Sequence, residues 1–216
     1  MAALVQQYLD LIRSEHAGVA EGALASYIPE LTTVDPDGFG VSLSSSDGFV
    51  YESGDAALEF TIQSISKPFT YALALDQIGQ RAVDAKIGVE PSGEAFNEIS
   101  VDPATKTPKN PMINAGAIAA VSLVPGATPD EKFALIREFY SAFAGRQLEI
   151  DPQVYASEKR TGSRNRAIAT CWPVSVCSTV IPTTYSTCTS GSARSTSRPP
   201  TWPGWPPRWP AAVSIR

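Results

Sequence analysis

Histidine is nearly missing from this sequence, and its scarcity removes whole classes of chemistry. The one histidine is His16. It falls in an amphipathic N-terminal stretch whose Leu4, Tyr8, Leu9, Leu11 and Ile12 keep helical spacing. A Ser-His-Asp triad would have to borrow that residue and is disfavoured. The three cysteines, Cys171, Cys177 and Cys188, have no histidine near them, and the first two are not in C-x-x-C spacing. No metal site and no cofactor are therefore expected. Runs of lysine or arginine are also missing, and the formal net charge is -5, which argues against nucleic acid or an anionic membrane as partner. No apolar stretch is long enough to span a bilayer, and the N-terminus lacks a basic segment leading into an apolar core. A cytoplasmic protein is the expectation. If the chain hydrolyses anything, lysine or tyrosine must act as the base.

What is present points to such a base. Ser64-Ile65-Ser66-Lys67 stands where an extended run, Glu59 to Ile62, gives way to an apolar helical stretch, Pro68 to Leu75. A serine followed three residues later by lysine puts hydroxyl and amine on one helix face. The helix start adds unpaired N–H groups and a positive dipole end, which favour negative charge developing at the serine. This is the layout of a serine nucleophile activated by lysine. By itself the tetrapeptide also fits a capped, solvated helix start.

Another absence begins at residue 170. No acidic residue follows Glu158 and no lysine follows Lys159, while Trp172, Trp202, Trp205, Trp209 and all three cysteines lie beyond that point. One reading is a disordered Ser/Thr/Pro tail. A shifted reading frame accounts for more. Tryptophan has a single codon, TGG, so each Trp-Pro pair must be encoded TGGCCN. Moved back one base, it reads as Leu, Met or Val followed by Ala. Trp202-Pro203, Trp205-Pro206 and Trp209-Pro210 then become one apolar helix face at i, i+3 and i+7. Cys171-Trp172-Pro173 likewise continues the helix begun by Asn165 to Ala169, and Thr189 becomes Tyr or His. Residues 1–169 are accordingly expected to be the N-terminal part of a domain, and residues 170–216 an out-of-frame or disordered tail.

The first part reads as a helix over 2–15 and a hairpin of strands 39–44 and 49–52 around the Asp47-Gly48 turn. A helix over 64–78 and a turn-rich segment over 80–110 follow. A second apolar helix opens at Asn110-Pro111 and runs through Ala120. Thr128-Pro129-Asp130-Glu131 forms a capping box for a helix to about Phe143, and a last helix starts near Gly162. A hairpin first and helices afterwards give an α+β class with an antiparallel sheet and a helical cluster.

Several motifs in this order closely resemble the serine-dependent glutaminases, which have the β-lactamase and penicillin-binding-protein type of fold. They are Tyr27 to Leu31, Phe60 to Lys67, Gly88 to Gly93 with Phe96-Asn97, Lys109 to Ala117, and Ser157-Glu158 with Arg164-Asn165. The resemblance covers about residues 24–169 and departs at Thr170. It implies a β-lactamase-like domain incomplete on its C-terminal side, its hairpin left with an exposed edge or a false partner. It implies hydrolysis of L-glutamine to L-glutamate and ammonia through a Ser64 acyl-enzyme with Lys67 as base. Tyr27 would be a proton relay or substrate contact, Asn114 and Asn165 would recognise carboxylate and amide, and Glu158 would pair with the substrate ammonium. At Thr189 the family has a substrate-binding tyrosine, which the shifted frame can supply. A homotetramer is implied as well.

Each residue has a plainer reading. Asn114 and Asn165 fit helix-start caps, Glu158 a solvated charge, and Tyr27 a buried core aromatic. Ser66 reads as a helix-face hydroxyl, while Ser92 and Asn97 lie in a loop. As written, the chain is expected to have little activity. The alternatives are a non-catalytic fragment of a glutaminase-like gene and a penicillin-recognising serine acyl hydrolase. The latter has no need of an amino-acid cradle made by Glu158 and Asn165.

Overall fold

The computed structural model describes residues 2–45, 47–94, 98, 101–102, 104–105, 107–170, 188–190 and 212–215. They divide into two units, described separately. The first comprises residues 1–60, 141–148 and the described part of 188–216; the second comprises 61–140 and continues from 149.

The first unit is built on a hairpin. Strands β1 (Gly40–Ser44) and β2 (Val50–Gly54) pair antiparallel, with Leu43 opposite Tyr51. The turn works because Gly48 takes φ 93°, a conformation that costs glycine little. Helix α1 (Ala2–His16) is tied to the hairpin by polar contacts. Gln6 Nε2 donates to the Glu52 carbonyl at 2.8 Å, and Ser53 Oγ donates to Asp10 Oδ1 at 2.6 Å. Of the apolar residues expected to bury a stripe of this helix, Leu9 is buried, whereas Leu4, Tyr8 and Leu11 are exposed. Short strands also lie beyond residue 170. β5 (Ala212–Ile215) pairs antiparallel with the other edge of β1, and β4 (Cys188–Ser190) joins β3 (Glu59–Thr61). The hairpin edge expected to be open or falsely partnered therefore carries a strand. Thr189 lies in β4, and the remaining tail residues, including the four tryptophans, lie outside the described residues.

The second unit is helical. α2 (Ser66–Ile78) leads through Gly79 into α3 (Gln80–Asp84), a short helix within the segment expected to be turn-rich. α4 (Asn114–Leu123) buries every residue from Ala115 to Val121. Small side chains allow this close approach: Ala74 of α2, Val83 of α3, Ile87, and Ala119 and Ala120 of α4 form one cluster, flanked by Tyr71, Leu75, Ile78 and Leu123. At about 25 cal/mol per Å² of apolar surface removed from water, such packing is what makes the unit stable.

The helix boundaries depart from the sequence reading in three places, each for a local reason. α2 begins at Ser66 rather than Ser64, because Gln63–Ile65 form a 3-10 turn first. α4 begins at Asn114 rather than Asn110. Asn110 Oδ1 accepts from the amides of Met112 (3.0 Å) and Ile113 (3.2 Å), closing an Asx turn that delays the helix. Asn110 Nδ2 also donates to the Glu90 carbonyl at 3.0 Å, joining this turn to the strip where Gly88 and Glu90 pair with Pro108 and Lys109. Finally, α6 (Pro152–Thr161) is an additional helix before α7 (Ser163–Thr170). Asp151 Oδ1 caps α6 through the Gln153 and Val154 amides at 2.8 and 3.0 Å, with Pro152 at the first helical position.

α5 (Pro129–Ala144) starts as the capping box requires: the Glu131 amide donates to Thr128 Oγ1 at 3.2 Å. The Glu131 carboxylate reaches back one residue further than expected, to the Ala127 amide at 2.7 Å. Lys132 is buried, and its ammonium donates to the carbonyls of Ser122 (3.0 Å) and Val124, closing the C-terminal end of α4.

A test of this packing lies at Gly116. A Cβ there would fall 1.9 Å from the Asn110 carbonyl oxygen and 2.8 Å from Pro111 Cα, both backbone atoms. Gly116→Ala should therefore destabilise the protein by about 2–3 kcal/mol, read as a lower urea midpoint. A midpoint equal to wild type would show that α4 does not sit against this turn.

Candidate active site

Ser64 lies in the 3-10 turn Gln63–Ile65 and is exposed, while Lys67 is buried in the first turn of α2, with 4% of its surface accessible. The turn is reached through Gln63, whose φ of 44° makes it the positive-φ non-glycine residue of the described backbone. Such a conformation costs about 1–3 kcal/mol and persists only where surrounding structure over-determines it. Gln63 stands directly before Ser64, which is exposed, and four residues before Lys67, which is buried.

Lys67 Nζ donates to Asn114 Oδ1 at 2.8 Å, and Asn114 Nδ2 donates to Asn165 Oδ1 at 3.1 Å. One polar chain thus crosses from α2 to α4 to α7. Asn114 is not a helix cap, because the residue ahead of α4 is Ile113 and no side chain caps that end. Its amide faces the lysine instead. Asn165 is the third residue of α7, and its side-chain oxygen accepts from Asn114 Nδ2. Glu158 on α6 is buried at 8% exposure, which sets aside a solvated charge, and its main-chain oxygen accepts from the Gly162 amide at 2.9 Å. Tyr27 belongs to the first unit and is 57% exposed, so it is not a core aromatic. The structure therefore links Lys67, Asn114 and Asn165 directly, sets Ser64 one turn from Lys67, and buries Glu158 on the neighbouring helix.

Burial brings the pKa of Lys67 down from 10.5 to about 8. Desolvation penalises the charged form, so near neutral pH a usable fraction of the amine is unprotonated. A buried neutral amine one turn from an exposed hydroxyl can take that hydroxyl's proton, and the amide of a serine at a helix start can donate to an oxyanion. Among the described residues no group of three or more His, Cys, Asp or Glu could hold a metal ion, and no helix is long and apolar enough to cross a membrane.

The Glutaminase family profile matches residues 22–175, well over half of the chain. The chain belongs to the glutaminase family. It is 51% identical over 162 residues to Glutaminase 1 of Bradyrhizobium diazoefficiens, a match covering 75% of this chain and 26% of the relative. It is 45% identical over 164 residues to a glutaminase of Microcystis aeruginosa, covering 76% and 48%. The solved structure of the probable glutaminase ybaS superposes with a TM-score of 0.80 at 32% identity, covering 88% of this chain and 64% of that one. Mglu in its glutamate form gives 0.79 at 39% identity, covering 86% and 45%. The α+β, β-lactamase-like class follows from these likenesses. The chain spans about a quarter to a half of the length of these curated relatives.

Sequence reading missed three members of this family member's site region. Gln63 gave no sign of its positive φ. Thr70 and Tyr140, whose hydroxyls meet at the Ser66 carbonyl, lie in apolar helical stretches that give little sign of it. Tyr140 carries the better clue, a hydroxyl in the otherwise apolar run Ile136, Phe139, Tyr140, which must find a partner when buried.

The lowered pKa of Lys67 also has a consequence for stability. Between about pH 8 and 10.5 the unfolded chain holds a proton on Lys67 that the folded chain has released. Stability therefore rises with pH across that window, and below it the buried ammonium costs about 3 kcal/mol. Lys67→Met should be more stable than wild type at pH 7 by up to about this amount, with the advantage narrowing by pH 10. Urea unfolding of both proteins at the two pH values checks it. An advantage that does not change with pH would contradict the burial of a titrating ammonium.

Proposed function

We propose that the site is built to hydrolyse the side-chain amide of L-glutamine, giving L-glutamate and ammonia. The observation that carries this reading is the buried Lys67 amine, held by Asn114 one turn from the exposed Ser64. Family membership supports the choice of glutamine. In the first half-reaction Ser64 Oγ bonds to the amide carbon while Lys67 Nζ takes the hydroxyl proton. The Ser64 amide supplies one donor to the oxyanion. Collapse breaks the C–N bond, and the Lys67 proton leaves with the ammonia. Water then attacks the ester, again giving a proton to Lys67, and glutamate departs as Ser64 Oγ recovers that proton. Asn114 and Asn165 offer donors and acceptors to the substrate, Glu158 a countercharge for its ammonium, and Tyr27 a relay or contact.

The same reading takes the enzyme to be a cytoplasmic, serine-nucleophile homotetramer without cofactor, a description supported by family membership alone. It also takes residues 170–216 to be out of frame. Support for this comes from the change in composition at 170 and from a family match that stops at 175.

Restoring one base near codon 169 should give an active glutaminase, with turnover at least a hundredfold above that of the present chain: the family resemblance implies a second oxyanion donor on a strand beyond residue 170, and loss of one such donor alone costs roughly a hundred- to a thousandfold. In the repaired enzyme Ser64→Ala and Lys67→Ala should each abolish most turnover, because nucleophile and base act as a unit. Glu158→Gln should chiefly raise KM. The acid limb of its pH–rate profile should have a midpoint near 8, where Lys67 loses its proton. Ammonia release from glutamine and from asparagine measures all of these. Full activity in Ser64→Ala would remove the mechanism, and equal turnover by the present and repaired chains would remove the frame reading.

A further inference from the structure

We infer that Tyr140 is a positioning residue for the Ser64–Lys67 turn, acting through the main-chain carbonyl of Ser66. This rests on the proposed glutamine chemistry for its meaning but on independent contacts for its geometry. Tyr140 is buried on α5, and its hydroxyl donates to the Ser66 carbonyl oxygen at 3.0 Å. Ser66 stands between nucleophile and base. The phenol therefore grips the backbone link that fixes the spacing of those two groups.

A second hydroxyl shares the same carbonyl. Thr70 Oγ1 donates to the Ser66 oxygen at 3.1 Å and also touches the Tyr140 hydroxyl at hydrogen-bond distance. The three oxygens make three contacts with only two hydroxyl protons between them. At any moment, then, either both hydroxyls serve the carbonyl, or one serves the other and the other serves the carbonyl. The two residues nevertheless differ in what they join. Thr70 lies on α2, so its bond stays within the helix that already contains Ser66. Tyr140 lies on α5, so its bond is the one that anchors the nucleophile turn to a separate element. Burial raises the Tyr140 phenol pKa well above its usual range, so the hydroxyl stays protonated and remains a donor across the working pH.

The hydroxyl is separable from the ring. The Phe69 and Tyr140 rings meet edge to face, with centroids 6.0 Å apart. A phenylalanine at 140 keeps that contact and loses only the anchor. The complementary change, Thr70→Val, removes the local hydroxyl and leaves Tyr140 free to donate to Ser66 all the time. If spacing of the turn depends on the inter-helix anchor, the two variants must behave differently, although each deletes one hydroxyl of the same buried group.

The experiment uses the full chain and its frame-repaired counterpart, with circular dichroism to confirm folding. Tyr140→Phe should lower kcat roughly ten- to a hundredfold with KM within about twofold, the pattern expected when reacting groups shift by a fraction of an ångström. Thr70→Val should stay within about threefold of wild type in both. A separate readout needs no turnover: in chains labelled with ¹³C-lysine, the resonance lost in Lys67→Arg identifies Lys67. That resonance should move towards those of the exposed lysines in Tyr140→Phe and stay in place in Thr70→Val. Should the wild-type repaired chain release no ammonia from glutamine, the functional reading fails while the lysine resonance still decides the positioning role. An unmoved Lys67 resonance in a folded Tyr140→Phe, or equal losses in both variants, overturns the inference. If Tyr140→Phe does not fold, a Thr70→Val loss of more than tenfold overturns it, because that change leaves the anchor intact.

Discussion

A lysine ammonium placed inside a helical unit sets the terms for everything around it. Lys67 is almost fully buried and donates to Asn114. Taking such a group out of water is expensive, and the expense is reduced by holding it neutral. Chemistry and stability are opposed at this point, since the property that makes the amine a base near neutral pH lowers the stability of the fold that buries it. Proteins commonly accept that opposition at functional sites, where stability is exchanged for reactivity. The rest of the second unit makes the exchange tolerable. α4 is rich in Ala and Gly, and Ala74 of α2 meets Ala119 and Ala120 of α4 in one buried cluster. The Asn110 turn then fixes where α4 starts, and hence where Asn114 stands.

The turn that bears Ser64 depends on two restraints applied from opposite ends. Before Ser64, Gln63 holds a positive φ that few non-glycine residues adopt. After it, Tyr140 on α5 holds the Ser66 carbonyl from a separate helix. A 3-10 turn alone would be a poor platform, because its hydrogen bonds are strained and such turns are short. Its position at the head of α2, with Lys67 locked into the first helical turn, converts a weak local structure into a defined spacing. The strain at Gln63 and the buried phenol are thus parts of one device: one imposes an unfavourable direction and the other prevents the chain from relaxing out of it.

Much of this was legible in the residues, and the failures share a cause. The hairpin was visible in Asp47-Gly48 and its flanking strands, and α5 in its capping box, because both are local signals satisfied by neighbouring atoms. Ser64, Lys67, Asn114, Glu158 and Asn165 were found as motifs, and four of these five can be related to burial or direct bonds. The start of α4 was misjudged because Asn110 and Pro111 look like a helix start, whereas the Asn110 side chain competes with the helix for the Met112 and Ile113 amides. α6 was overlooked although Asp151-Pro152 signalled it, since no apolar period accompanied the cap. Tyr140 could not be recognised, because its role depends on a carbonyl 74 residues away in sequence. Long-range partners of that kind leave no spacing to read.

The strands beyond residue 170 show where backbone geometry stops carrying information about origin. β1 presents an edge of unpaired amides and carbonyls, and β5 pairs with it over Val41 to Ser44. Pairing of that kind is made by main-chain atoms and is available to almost any short extended segment free of proline, such as Ala212-Val213-Ser214-Ile215. An edge strand will therefore recruit a partner whether or not selection shaped the partner's sequence. What selection does shape is the pattern of side chains: acidic residues run only as far as Glu158 and lysines only as far as Lys159, while all four tryptophans and all three cysteines lie beyond residue 170. A ladder satisfies the hydrogen-bonding demand of β1 through main-chain atoms alone, whatever side chains the added strand carries. A sheet edge asks of its partner only a backbone, whereas a site such as that of Lys67, Asn114 and Asn165 asks for particular side-chain atoms.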